Sequence, residues 1–177
     1  LQATATNSAH VLTRIAKAGP ELARQVAHVP GTLAALLAAM AMGIRVVTHR
    51  LQDLASSSAE ALAVMAKADP GLTRRVAEMP GALATLVATV AAGSVSAVPT
   101  LQEAAPNSTA VLGHIIRAGP ELARRVAVEP GALATLVAAI AAGSGAASPS
   151  LQVTAAYSAQ ALADIASADP ELAGRVA

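Results

Sequence analysis

The stretch IAKAGPELARQVAHVPGTLAALL, residues 15–37, sets the helical pattern of the whole chain. It returns as MAKADPGLTRRVAEMPGALATLV at residues 65–87 and as IIRAGPELARRVAVEPGALATLV at residues 115–137. Proline suits the first position of a helix, and glycine is common just after a helix ends. Each copy therefore predicts the end of one helix, a short second helix and, after Pro-Gly, the start of an apolar third helix.

Outside these stretches the repetition continues with a period of 50 residues. Leu-Gln opens each copy, which predicts repeats at 1–50, 51–100 and 101–150 and a truncated one at 151–177. The first copy is more similar to the third, and the second to the fourth, so we infer duplication of a 100-residue pair. A fixed period of this length is typical of stacked repeats. We therefore expect one array of about 3.5 repeats over residues 1–177, as a piece of a longer array.

In the first copy, three helices are predicted over residues 1–18, 20–28 and 31–42. Gly19 and Gly43 are expected to cap the first and third helices at their C-terminal ends. Thr100 and Ser150 are expected to act as N-caps of the next long helices. The residues expected to face inward are Leu1, Ala5, Leu12, Ile15, Ala16, Leu22, Val26, Val29, Leu33, Leu36, Leu37 and Met40.

The composition predicts an aliphatic, all-α protein and excludes several kinds of chemistry. The chain has 54% hydrophobic residues but no Cys, Trp or Phe and a single Tyr, so disulfides and thiolate metal sites are excluded. The four histidines do not have metal-ligand spacing, and no glycine-rich phosphate loop follows a strand. We therefore expect no cofactor and no enzymatic activity. The apolar runs 81–92 and 131–142 are about 12 residues long, whereas a membrane span needs about 20, so no span is expected.

The first repeat resembles an armadillo repeat entered at its third helix. The resemblance rests on Gln2, on Ser8-Ala9 with Leu12 and Ile15-Ala16, on Pro20-Glu21-Leu22 with Val26, and on Gly31 with Leu33 and Leu36-Leu37. It implies an armadillo-like right-handed superhelical solenoid. The third helix of an armadillo repeat, which corresponds to the first, long helix of each copy here, lines the concave groove of such a solenoid. Residues 15–23 are further similar to the ciliary central-pair, sperm-associated-antigen type of armadillo protein.

The same resemblance identifies groove positions on each long helix. Nuclear-import members bind peptides through a Trp and, four residues later, an Asn. The Trp position here holds His10, Glu60, Ala110 and Gln160, and the Asn position holds Arg14, Val64, His114 and Asp164. Binding of nuclear localisation signals in that manner is therefore not expected. A third row holds Lys17, Lys67, Arg117 and Ser167, whose cations suit an acidic partner segment or, alternatively, favour the C-terminal helix dipole.

A second basic series falls on the short helices. Its members are Arg24, Arg74, Arg75, Arg124, Arg125 and Arg175. One interpretation is an outer basic ridge for phosphates or anionic lipid. The favoured alternative is surface ion pairing, because Glu121 precedes Arg125, and Glu171 precedes Arg175, by four residues.

The function expected from these patterns is that of a non-enzymatic protein-interaction scaffold. It would bind a protein or peptide segment, preferably acidic, along the groove. A helical-repeat RNA-binding protein and a structural subunit, axonemal or stacked end to end, are the alternatives. One Tyr and a net charge of +1 argue against nucleic acid, which needs stacking aromatics or a broad positive surface. The absence of Cys favours an intracellular location, in the cytoplasm or a cilium.

Overall fold

The computed structural model describes residues 2–45, 48–168 and Gly174, and within these ranges the chain forms ten α-helices and no strand. The all-α prediction is confirmed. The long helices are α1 (Gln2–Lys17), α4 (His49–Ala68), α7 (Pro99–Arg117) and α10 (Pro149–Ala168). The short helices are α2 (Pro20–His28), α5 (Pro70–Glu78) and α8 (Pro120–Val128). The third helices are α3 (Thr32–Arg45), α6 (Ala82–Val95) and α9 (Ala132–Gly143).

Proline and glycine set the boundaries of the short helices as predicted. Each short helix begins with its proline, where the missing N–H costs no intrahelical hydrogen bond. Each is followed by a glycine with positive φ: 83° at Gly31, 73° at Gly81 and 77° at Gly131. Other residues are strained in this conformation, so the glycine allows the sharp turn into the third helix.

Two of the predicted glycine caps were wrong. Gly43 lies inside α3, which continues to Arg45, and its Cα faces the backbone of Leu51 on α4 so closely that a Cβ would clash. Glycine is needed there for the approach of two helices, rather than for ending one. Gly19 has a φ of 165°, which is extended backbone, and it occupies the N-cap position of α2.

The predicted hydroxyl N-caps were also wrong, because the long helices begin before them. The N-cap position of α7 is taken by Val98, and Thr100 lies in the first turn with a buried hydroxyl that has no hydrogen-bond partner among the described residues. Ser150 likewise lies inside α10. The connector between the first two copies carries the basic residues Arg45, His49 and Arg50, of which Arg45 ends α3 and His49 begins α4. Residues 46 and 47 lie outside the described part, as do Leu1 and the side chain of Ala5, which were expected to face inward.

The recurring Leu-Gln has a local structural role in two copies. Nε2 of Gln102 donates to the carbonyl oxygen of Ser96 at 2.7 Å, and Nε2 of Gln152 donates to that of Ala146 at 2.8 Å. Oε1 of Gln102 also accepts a hydrogen bond of 2.8 Å from Oγ of Ser148, in the next connector. These glutamine side chains thus fix the connectors before α7 and α10, and Gln102 also joins one connector to the next.

Helices at equivalent positions of successive copies pack against one another. The long helices contact in the order α1, α4, α7, α10, and the third helices in the order α3, α6, α9. Each third helix also packs on the following long helix, and each short helix contacts both its own and the following long helix. The contacts are thus made overwhelmingly between neighbouring copies.

The core between these helices is aliphatic, as predicted. The apolar residues of α3, Leu33, Leu36, Leu37 and Met40, are buried. On the long helices, Leu62, Leu112 and Leu162 are buried, whereas Leu12 is only partly buried. The first short helix departs from the prediction: Leu22 and Val29 are 40% and 55% exposed, while Leu72 and Leu122 are buried. The second and third copies have described neighbours on both sides, whereas the first has a described neighbour on one side only.

The third helices are the most apolar elements, and most of their large side chains are buried, as at Leu83, Leu86 and Val90 of α6. Within the described ranges, no helix by itself combines the length and the apolar character needed to cross a membrane. Three sharply bent pairs, each a short helix with the third helix after it, meet both criteria when taken together.

Candidate binding face on the long helices

One side of the long helices remains accessible to solvent, and we call it the long-helix face. Its members are His10, Arg14, Lys17, Glu60, Val64, Lys67, Ala110, His114, Arg117, Gln160, Asp164 and Ser167. Each is exposed or partly buried, and none is fully buried. Residues three, four or seven apart share a side of a helix, whereas Leu62 and Met65 of the same helices point into the core. All the predicted groove residues therefore lie on this face.

Some cations of the third row form ion pairs with carboxylates of the next repeat. Nζ of Lys17 on α1 forms an ion pair with Oε1 of Glu60 on α4. Nη1 of Arg117 on α7 donates to Oδ2 of Asp164 on α10 at 3.1 Å. Two of the three predicted cations are thus neutralised by the next repeat, because helix stacking places position 17 of one copy beside positions 10 and 14 of the next.

Lys67 is the exception on this row. The corresponding positions of the next repeat hold Ala110 and His114, and no carboxylate of the described residues forms an ion pair with Lys67. Burial, and then the positive charges of Arg117 and Lys67, lower the pKa of His114 below its ordinary value of 6.5. His114 is therefore neutral at pH 7 and leaves the positive charge of Lys67 uncompensated.

Other members of the face make smaller contributions. A ring nitrogen of His10, Nδ1, lies 3.1 Å from Oγ of Ser57 on the next long helix. Val64 lines a pocket of about 380 Å³ together with Lys17 and Lys67. A pocket of about 370 Å³ at the equivalent place two copies later contains Arg117 and Asp164 instead. The residues that line the two pockets lie 100 positions apart, as the inferred duplication of a 100-residue pair predicts, but their charges differ.

Sequence reasoning missed two residues beside Lys67, and both break the repeat. Tyr157, 46% exposed, stands where the other copies have Asn7, Ser57 and Asn107, and it lines a pocket with Lys67 and His114. Gly113 stands where the others have Thr or Ala, and a Cβ there would lie only 3.3 Å from Nη1 of Arg117. Comparing the copies for single departures from the repeat would have identified both.

The basic residues of the short helices lie on a different surface. Arg24, Arg74, Arg75, Arg124 and Arg125 are exposed, and Arg175 lies outside the described residues. Nη1 of Arg24 donates to Oε2 of Glu21 at 3.0 Å, which supports surface ion pairing. The predicted pair of Glu121 with Arg125 does not form, and Glu171 is not described. The basic residues of the short helices therefore do not form one site together with the long-helix face.

In the part of the chain that the structure describes, no group of three or more His, Asp or Glu side chains could hold a metal ion. Comparison with models of protein families, with curated proteins and with solved structures found no significant match. The long-helix face is therefore interpreted from its own geometry and charge.

Proposed function

We propose that this chain is a non-enzymatic interaction scaffold that binds an extended partner segment along the long-helix face. In this proposal the helices form an armadillo-like right-handed superhelical solenoid, and the long helices line its concave side. The packing of equivalent helices on one another supports such an arrangement. An intracellular location, in the cytoplasm or a cilium, is part of the same proposal.

One observation carries the binding proposal: α4 and α7 are mostly buried on their other sides, yet all four long helices keep an accessible face with polar side chains. Charged side chains on this face meet at the boundaries between repeats, as Lys17 meets Glu60. A segment lying across these boundaries would contact several repeats at once. The ion pairs also reduce the free positive charge of the face, which disfavours the alternative of RNA binding.

A second candidate function is end-to-end stacking into a larger assembly. Val137 on α9 is 52% exposed, whereas the equivalent Leu37 on α3 and Val87 on α6 are each 7% exposed. α3 packs on α6 and α6 on α9, whereas no third helix of the fourth copy is described. A sedimentation coefficient that rises with protein concentration would favour this candidate, provided that Val137→Glu abolishes the rise.

The binding proposal is tested with a random peptide library displayed against the immobilised chain. A photoreactive residue placed at Val64 or at Gln160 should crosslink to the selected peptides, because both positions lie on the long-helix face. The same residue at Arg74 or Arg125 is the matched control on the short helices and should give little crosslinking. Equal yields from both surfaces, or a library without any enriched peptide, would contradict the proposal.

A further inference from the structure

The long-helix face has a regular charge pattern with one gap. Each cation in the last turn of a long helix faces two positions of the next long helix. For Lys17 these hold Glu60 and Val64, and for Arg117 they hold Gln160 and Asp164. For Lys67 they hold Ala110 and His114, so the acidic group present at the other two boundaries is missing at the middle one.

A pocket of about 280 Å³ lies at this boundary. Six of the residues that line it are Lys67, Ala110, His114, Arg117, Tyr157 and Gln160. Ala110 has a methyl group where Glu60 has its carboxylate side chain, which leaves room in front of Lys67. Gly113 has no side chain, so the guanidinium of Arg117 can fold back against its own helix at the side of the pocket.

The polar groups of the pocket are mostly donors. Both carboxylate oxygens of Asp164 are engaged, Oδ2 by Arg117 at 3.1 Å and Oδ1 by Nε2 of Gln160 at 2.7 Å. Nδ1 of His114 lies 3.4 Å from Nη2 of Arg117, so it faces a donor and the ring proton belongs on Nε2. The ammonium of Lys67, an N–H of His114 and the hydroxyl of Tyr157 remain to donate to a ligand.

We propose that this pocket binds a carboxylate side chain of the partner segment, in the place that Glu60 occupies one repeat earlier. The inference rests on the proposed function, because it assigns one contact of the same partner. The cations of this row already bind carboxylates of the chain itself, at Lys17 and at Arg117, which favours a carboxylate as the missing ligand. Tyr157 also lines the pocket, and its hydroxyl offers a further donor to a carboxylate.

The test uses the full chain with labelled histidine rings and a capped glutamate, N-acetyl-glutamate N-methylamide, as the probe. The NMR signals of the His114 ring should shift and saturate with this probe, but not with the capped glutamine. Lys67→Met should weaken binding of the probe about tenfold. Ala110→Glu should weaken it at least as much, because a carboxylate supplied by the chain would then occupy Lys67. Arg74→Met, an equal change of charge on the short helix, is the control and should leave binding unchanged.

Three results would overturn the inference: no shift of the His114 signals, equal shifts with capped glutamine, or full binding in both Lys67→Met and Ala110→Glu. Inorganic phosphate is the second arm, and displacement of the probe by an equal concentration of phosphate would show a general anion site instead. The experiments can contradict the carboxylate site without contradicting the proposed scaffold function. Peptides that crosslink at Val64 but bind Ala110→Glu normally would leave the scaffold in place and remove the carboxylate site.

Discussion

Arg117 and Asp164 lie 47 residues apart in the sequence, and Nη1 of the first donates to Oδ2 of the second at 3.1 Å across the boundary between α7 and α10. Lys17 and Glu60 form the equivalent contact between α1 and α4. The side chain of Asp164 is 19% exposed and that of Glu60 is 36% exposed, so the two pairs differ in solvent screening. Both pairs join neighbouring repeats on the face proposed to bind a partner.

Asp164→Asn should lower the free energy of unfolding by about 1 kcal/mol, because the partly buried carboxylate of Asp164 forms a charge-assisted hydrogen bond with Arg117 that the substitution weakens. Glu60→Gln should cost less than about 0.5 kcal/mol, as expected for an exposed pair. Urea unfolding at low and high salt measures both effects. Equal costs for the two substitutions would show that burial does not distinguish the pairs.

Gly93→Ala should destabilise the protein by about 1–3 kcal/mol through overpacking. A Cβ at Gly93 would clash with the carbonyl oxygen of Leu101, which belongs to the backbone of α7 and cannot move alone. Gly19→Ala is the matched control, since Gly19 has open space and an extended backbone. Thermal unfolding of the two variants checks this, and a similar melting temperature in both would refute the close-approach role of Gly93.

Ser108→Ala should raise the free energy of unfolding by about 1 kcal/mol. The hydroxyl of Ser108 is buried without a hydrogen-bond partner among the described residues, so its desolvation is not compensated. Ser8→Ala, the same substitution at the exposed equivalent position, should give no gain. Loss of stability in Ser108→Ala, measured by urea unfolding, would indicate that the hydroxyl is bonded in solution.

The protein should become less stable as the pH falls below 6.5 because of His114. Its pKa is lowered in the folded state by burial, then by Arg117 and Lys67, so the unfolded chain binds more protons in this range. The stabilising contribution is present above pH 6.5 and is lost as the pH falls through the folded pKa. His114→Gln should flatten this part of the curve of unfolding free energy against pH. Lys67, Arg117 and Asp164 remain unchanged in both proteins, so that the charges around position 114 are the same. Identical curves would exclude a role for His114.

Small-angle X-ray scattering should give an elongated particle, since the proposed solenoid packs each repeat mainly on its neighbours. The measurement tests the arrangement of the whole chain, independently of any partner. Scattering that fits a compact sphere of the same mass would contradict the solenoid.

The period of 50 residues, the helix breaks at Pro20 and Gly31 and the aliphatic core could all be predicted from the sequence. They depend on local backbone chemistry and on apolar periodicity, which neighbouring residues reveal. The positions of the long-helix face were predicted through the resemblance to the armadillo repeat, not from periodicity. Tyr157 and Gly113 were visible as departures from the repeat, but without a place in a site.

Only the tertiary structure decided which side chains meet across the repeats. The stagger of adjacent long helices places each last-turn cation beside positions 10 and 14 of the next copy, so Lys17 meets Glu60 while Lys67 faces Ala110 and His114. The role of Gly43 depends in the same way on the distance between α3 and α4, so a glycine read as a helix end proved to be a point of contact. Local propensity determines where helices begin and end, whereas the packing of distant segments determines which charges are left for a ligand.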